Sequence, residues 1–261
     1  MNTTALDLSI LGPAFIAGLL VLATHVPLGI QVLSRGIVFI DLAIAQVAGI
    51  GVIAADAAGW EPQGWAVQIA AVAAALAGAV VLTFTEKRWP EIQEALIGVL
   101  FVLASCAGIL LLANNPHGGE HLKDLLVGQI LWVNARQLVA VGILTVVLLA
   151  IWIAFAARLG RIGFYAVFAF AVTASVQLVG VYLVFASLII PALVTRTMST
   201  SRARQAIAFA TGVVAYAVGL ALSAIADLPS GAVVVMTMAV LGVVCAALLA
   251  RRGTAVATSS A

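Results

Sequence analysis

The sequence predicts an all-α, polytopic membrane protein, and two observations support this prediction. First, eight stretches of about 14 to 34 residues contain no Asp, Glu, Lys or Arg, and a helix needs roughly 20 apolar residues to span a bilayer. Second, 64% of the residues are hydrophobic, 8% are charged and the mean hydropathy is +1.23, which is too apolar for a water-soluble domain. The runs lack the alternating polar residues of barrel strands, so we expect helices.

The charge-poor runs give the order of the predicted spans. They lie at 8–34, 42–55, 62–85, 95–116, 137–157, 162–195, 205–226 and 228–250. We expect one transmembrane domain over residues 1–252, followed by a disordered tail of small, uncharged residues at 253–261.

Basic residues predict the orientation of these spans, because loops rich in Lys and Arg stay in the cytoplasm. Ten of the twelve basic residues fall on alternate connections, namely Arg35, Lys87, Arg88, Arg158, Arg161, Arg196, Arg202, Arg204, Arg251 and Arg252. The other two, Lys123 and Arg136, lie in the connection between the fourth and fifth runs. The sequence therefore predicts that this connection and the N-terminus face out, and that the C-terminus is cytoplasmic.

The 34-residue run at 162–195 starts and ends beside cytoplasmic arginines, so it must cross the membrane an even number of times. Two short helices hinged near Gly180 satisfy this condition, provided that protein or a water-filled cavity covers the broken backbone. The total is then nine spans, or seven if the hairpin is re-entrant. Residues 122–134 are too few and too polar to span, and their helical spacing of apolar residues predicts an interfacial or partly inserted helix with Trp132 at headgroup level.

The connection after the fourth run carries His117, Glu120 and His121. Two imidazoles and a carboxylate within five residues can surround a divalent ion, and this nitrogen-rich set favours zinc, with manganese as the alternative. The same residues match the H-x-x-E-H string of zinc peptidases, although Gly118 and Gly119 favour a loop over the helix that such a site requires. The remaining alternative is an ordinary solvated loop.

Three polar residues lie in or beside the first two charge-poor runs. His25 is the sole ionisable residue of the first run, and Asp41 and Gln46 open the second. Ionisable groups within membranes commonly mark a pathway, since burying them is costly. The alternatives are a His25 bonded to a neighbouring helix and an Asp41 paired with Arg35 at the interface.

The chain cannot bind ATP through a P-loop, because neither Lys87 nor Lys123 belongs to a G-K-[ST] phosphate loop. ATP-driven work would therefore need another polypeptide. The scattered basic residues also exclude a nucleic-acid surface. A polar connection follows Pro191, and its role is either topological anchoring or docking of a soluble partner.

Several fragments together resemble the permease subunit of zinc/manganese-type ABC importers. They lie at 27–29, 35–36, 39–46, 94–98, 116–121, 126–131, 179–184, 190–192, 223 and 227–231. The resemblance implies an ABC importer permease fold with a short broken-helix hairpin, a homodimer, cytoplasmic ABC ATPase subunits and an extracytoplasmic metal-binding protein. It also implies a bacterial inner membrane, and ATPase coupling through Pro191, Thr195, Arg196, Arg202 and Arg204.

In many members of this family, an Asp and a His four residues apart on the second span form a metal gate. Here Leu42 and Gln46 stand at those positions, with Asp41 one residue earlier. We therefore expect Asp41, Gln46 and His25 to line the pathway.

The sequence predicts the membrane subunit of an ATP-driven importer of zinc or manganese. We expect His117, Glu120 and His121 to receive the ion, ATP to bind the partner subunit, and no cofactor to stay permanently bound. This subunit would not itself be an enzyme. The alternatives are a proton-coupled secondary metal transporter that uses His25 and Asp41, and an integral-membrane zinc peptidase.

Overall fold

The structure is a computed structural model that describes residues 7–61, 64–112, 126–155 and 158–259, with side chains up to residue 249. Within these residues it contains nine α-helices and no strand. The helices are α1 (Leu8–Arg35), α2 (Ile40–Ala57), α3 (Trp65–Arg88), α4 (Gln93–Leu112), α5 (Ala135–Phe155), α6 (Gly160–Val179), α7 (Val181–Val194), α8 (Ser201–Ala226) and α9 (Ser230–Ser259). The prediction of an all-α fold with about nine helices is confirmed.

Eight of the described helices are long and apolar enough to cross a membrane, and α7, with 14 residues, is shorter. Gly180 separates α6 from α7, with φ 80° and ψ 162°, which confirms the broken-helix hairpin expected at 162–195. The helix α9 continues to Ser259, into the segment 253–261, where disorder stays a prediction.

Consecutive helices run in opposite directions, and this gathers the basic connections at one end of the bundle, which we call the basic end. There Arg35, at the end of α1, lies with its guanidinium carbon 4.1 Å from the centroid of the Phe164 ring in α6. Arg161 Nε lies 3.5 Å from Glu86 Oε1 near the end of α3. These contacts join the ends of α1 and α3 to the start of α6.

The core forms where α1, α6, α7 and α8 pack together. Close helix packing depends on small residues, as in other membrane bundles: a Cβ added at Gly29 of α1 would overlap the Leu188 carbonyl of α7. At the periphery, the share of buried residues in the 18-residue apolar stretch of each helix is low: 22% in α4, 11% in α5 and 17% in α9. These three helices therefore present apolar faces to the surroundings of the bundle.

The segment before α5 differs from the prediction. Residues 126 and 127 are helical, Gly128 then takes φ 71°, and a short 3-10 helix follows at Ile130–Trp132. The expectation of a continuous helix over 122–134 is thus wrong for its described part. Ile130 is buried, while Trp132 is 81% exposed. The helix breaks because the backbone at Gly128 lies against Val179 and Gly180.

Candidate functional site

His25 lies on α1, two residues before Pro27, and is fully buried. Its Nδ1 lies 3.0 Å from Thr24 Oγ1 and 3.0 Å from the Val21 carbonyl oxygen. Its Nε2 has no hydrogen-bond partner among the described residues. In the tautomer that donates from Nδ1 to Val21, the lone pair stays on Nε2, which is the form that binds metal ions.

Asp41 lies in the first turn of α2, also fully buried, and neither carboxylate oxygen has a partner in the described part of the chain. The partial positive charge at the N-terminus of α2 is the backbone feature that favours a negative charge on this carboxylate. The alternative, a pairing of Asp41 with Arg35, is not formed: neither carboxylate oxygen has a partner among the described residues, and the Arg35 guanidinium lies over the Phe164 ring. A buried carboxylate without a partner is costly in a membrane, so its retention favours a functional role.

These side chains lie at different places along α1 and α2. His25 precedes the end of α1 by ten residues, which is about 15 Å at the rise of an α-helix, and Asp41 lies in the first turn of α2. Gln46 is half-buried about two turns into α2. Residues 7–61, 64–112, 126–155 and 158–259 contain no cluster of three or more His, Cys, Asp or Glu that could hold a metal.

The predicted receiving residues His117, Glu120 and His121 lie outside the described residues. The helices that flank them fix where their connection starts and ends. Leu112 ends α4 and Ala135 begins α5, both at the end of the bundle opposite to the basic end.

The predicted coupling residues lie where α7 ends and α8 begins. Arg196 and Arg202 are exposed and Arg204 is half-buried, whereas Pro191 and Thr195 are buried. The Thr195 hydroxyl donates to the carbonyl oxygen of Pro191 at 3.1 Å. In this conformation Thr195 therefore stabilises the end of α7, and the exposed arginines are the residues that a partner can contact.

Sequence reasoning missed the role of Glu94. Its Oε1 accepts a hydrogen bond from the backbone N–H of Phe39 at 3.2 Å, so α4 holds the start of α2 and with it Asp41. Gln93 was missed as well: its Nε2 donates to the Leu82 carbonyl at 3.0 Å and to the Tyr165 hydroxyl at 3.3 Å. The signals in the sequence were a pair of polar residues just before an apolar run and, for Glu94, its place in the fragment 94–98 that carries the resemblance.

Comparisons with known proteins agree with this architecture. The sequence model of the ABC 3 transport family matches residues 7–164 and 153–249. A curated protein of Chlamydia muridarum (strain MoPn / Nigg), described as a "Probable metal transport system membrane protein", is 29% identical over 80 residues. That match covers 31% of this chain and only 27% of the relative.

Two solved structures share the fold. A chain of PsaBC from Streptococcus pneumoniae in complex with Fab matches with a TM-score of 0.76 and 20% identity, covering 94% of this chain and 95% of that chain. An ABC transporter in an inward-facing conformation matches with a TM-score of 0.65 and 17% identity, covering 89% and 84% respectively. The family match spans most of the sequence and the helical fold agrees with it, so this chain belongs to the ABC 3 transport family and is a permease subunit of an ABC transporter.

Proposed function

We propose that the chain is the permease of an ATP-driven importer that carries a divalent transition metal, zinc in the first place, across the bacterial cytoplasmic membrane. The observation that carries the proposal is Asp41, a fully buried carboxylate whose two oxygens have no partner among the described residues. Such a group gains most from a passing cation, because burial of an uncompensated charge is expensive. The metal-transport description of the Chlamydia relative supports the same substrate class.

The ion would enter at the connection that carries His117, Glu120 and His121 and then pass His25, Gln46 and Asp41. The basic end would face the cytoplasm, with the N-terminus outside and the C-terminus inside, following the distribution of Lys and Arg. A binding protein would deliver the ion from outside. Cytoplasmic ATPases would dock near Arg196 and Arg202, and the apolar faces of α4, α5 and α9 would contact lipid and a second permease copy. No cofactor would stay bound, and ATP would bind only the partner.

Uptake of radioactive zinc by proteoliposomes that contain the permease and its ATPase tests this proposal. We expect the pair His117→Ala and His121→Ala to lower zinc-stimulated ATPase activity, because the receiving imidazoles are lost. We expect Asp41→Asn to reduce uptake at least about tenfold, which corresponds to about 1.4 kcal/mol in the barrier. The exposed Asp227 offers a matched control, so Asp227→Asn should leave uptake unchanged.

Four outcomes would contradict the proposal. If none of the variants differs from the parent, these residues are not on the pathway. If a pH gradient drives uptake without nucleotide, the proton-coupled alternative is correct, and chelator-sensitive proteolysis would favour the peptidase. Greater stimulation by manganese than by zinc would reverse the choice of metal.

A further inference from the structure

Three glycines from distant parts of the sequence meet at the end of the bundle opposite to the basic end. Gly128 lies in the connection between α4 and α5, Gly180 joins α6 to α7, and Gly231 lies in the first turn of α9. A Cβ added at Gly128 would overlap the Val179 carbonyl group and the Gly180 nitrogen, and one added at Gly180 would overlap the Gly128 nitrogen. The two backbones therefore touch without any side chain between them.

The third glycine, Gly231, packs against the Val127–Gly128 turn from the start of α9. A Cβ at Gly231 would lie 2.5 Å from the carbonyl oxygen of Val127, so the start of α9 also packs directly on the Val127–Gly128 backbone. Gly128 and Gly180 have φ values of 71° and 80°, which L-residues adopt only at a cost. Both the conformation and the contact thus require glycine at these two positions.

The contact covers a break in the helical backbone. The helix α7 has 14 residues, or about 21 Å of length, and α6, which ends at the same glycine, has 20 residues, or about 30 Å, close to the thickness of a hydrocarbon core. Backbone groups that such a break frees inside or at the edge of the core are tolerated only if protein covers them. The turn at Val127–Gly128 provides this cover, and the Ile130–Trp132 turn that follows contacts α1 and α9, with Ile130 only 2% exposed.

We propose that the segment 126–133 is the positioning element of the α6–α7 hinge, so that the hinge and this segment move as one unit. Because the backbones are already in contact, Gly180 cannot pivot toward the turn without displacing it. Withdrawal of the turn would also uncover the hinge. The role of this unit in transport rests on the proposed function. In transport, the unit would link the connection between α4 and α5, on the outer side, to the α6–α7 hairpin.

Thiol labelling of the full chain, purified with its partner ATPase, tests this coupling. Both native cysteines, Cys106 and Cys245, are replaced by Ala, and Ile130→Cys becomes a reporter whose modification by a maleimide is timed. We expect Gly180→Ala, 50 residues away in sequence, to raise the labelling rate at position 130 at least about tenfold. Reciprocally, Gly128→Ala should raise labelling at Val179→Cys, a position that is fully buried.

The matched control is Gly59→Ala. Gly59 has φ 77° and lies at the same end of the bundle, but a Cβ there meets no atom of the described residues within 4 Å, so it reproduces the backbone strain without the overlap. We expect no change in labelling at position 130. Equal acceleration by Gly59→Ala, or slow labelling in folded Gly180→Ala and Gly231→Ala proteins, would overturn the inference.

A further measurement leaves all three glycines intact and so does not depend on how the variants fold. The two reporters are labelled separately in the complex, with and without nucleotide. Parallel changes at positions 130 and 179 support coupled movement, and a change at one position alone, or at neither, overturns it. None of these measurements uses metal, so their failure alongside normal zinc uptake would refute the coupling and spare the proposed function.

Discussion

At the basic end, polar side chains join α4 to α2, α3 and α6, whereas at the opposite end the turn at Gly128 meets the α6–α7 hinge backbone to backbone. The side-chain bond from Ser223 to Ser230 at that end joins the consecutive helices α8 and α9. Gln93 reaches from α4 to Leu82 and Tyr165, and Glu94 reaches to the start of α2. At the other end, Gly128 and Gly180 pack with no side chain between them. Long side chains can rearrange while keeping some contacts, but a backbone contact is either made or lost. The basic end should therefore tolerate single substitutions better than the contact between Gly128 and Gly180, which we call the glycine junction.

The largest loss of stability should come from Gly128→Ala, which places a methyl group inside the glycine junction. Overpacking costs about 1–3 kcal/mol, and a left-handed L-residue costs roughly 1–2 kcal/mol more. Thermal unfolding in detergent measures the loss. Gly59→Ala should lose only the smaller free energy, that of a left-handed backbone conformation, because its Cβ would meet no atom of the described residues within 4 Å. Equal losses at both positions would remove the distinction between the two ends.

An intermediate effect is expected from Gln93→Leu, which removes a donor at the basic end. The Leu82 carbonyl and the Tyr165 hydroxyl then lose a partner, at about 1–3 kcal/mol for a buried polar group. Tyr165→Phe added to Gln93→Leu should cost less than the sum of the two single changes, because both partners are then absent. Thermal unfolding of the two single variants and the double variant gives this coupling.

Tyr182→Phe is the matched control for that cycle, since Tyr182 is 53% exposed. Its unfolding temperature should stay at the parental value, as for most surface substitutions. Strict additivity of Gln93→Leu and Tyr165→Phe would show that the hydrogen bond at 3.3 Å does not join α4 to α6.

The smallest effect should come from Arg161→Gln, which removes the ion pair with Glu86 at 3.5 Å. The arginine side chain is 55% exposed, and exposed pairs contribute about 0.2–1 kcal/mol, less at high salt. Unfolding temperatures at low and high ionic strength test this expectation, with Arg136→Gln at the opposite end as the control. A loss as large as that of Gly128→Ala would mean that the basic end is not the tolerant one.

Charge distribution and hydropathy predicted most of the fold. The even crossing number of 162–195 located the break at Gly180, because only two helices could return the chain to the basic side. The same reasoning failed at 128–134, where apolar spacing suited a helix but a contact with residues some 50 positions later imposed a turn. Spacing within a segment carries no information about such distant neighbours.

The candidate site was predictable in residue type and less so in arrangement. Polar interruptions of apolar runs identified His25 and Asp41, and both are buried. Their positions relative to the helix ends follow from where α1 ends and α2 begins, and such boundaries are defined only to within one or two residues. The burial of Thr195 was not predicted either, since a hydroxyl next to four polar residues suits an exposed loop until its bond to Pro191 is known.

The late position of Gly231 has a consequence for biosynthesis. The turn at Val127–Gly128 and the hairpin around Gly180 are both translated before α9, which begins 50 residues after Gly180. A nascent or truncated chain that lacks α9 would therefore leave one side of the interrupted backbone without its protein cover. Membrane quality-control proteases should recognise such chains, and stable accumulation would begin only once the last helix has inserted.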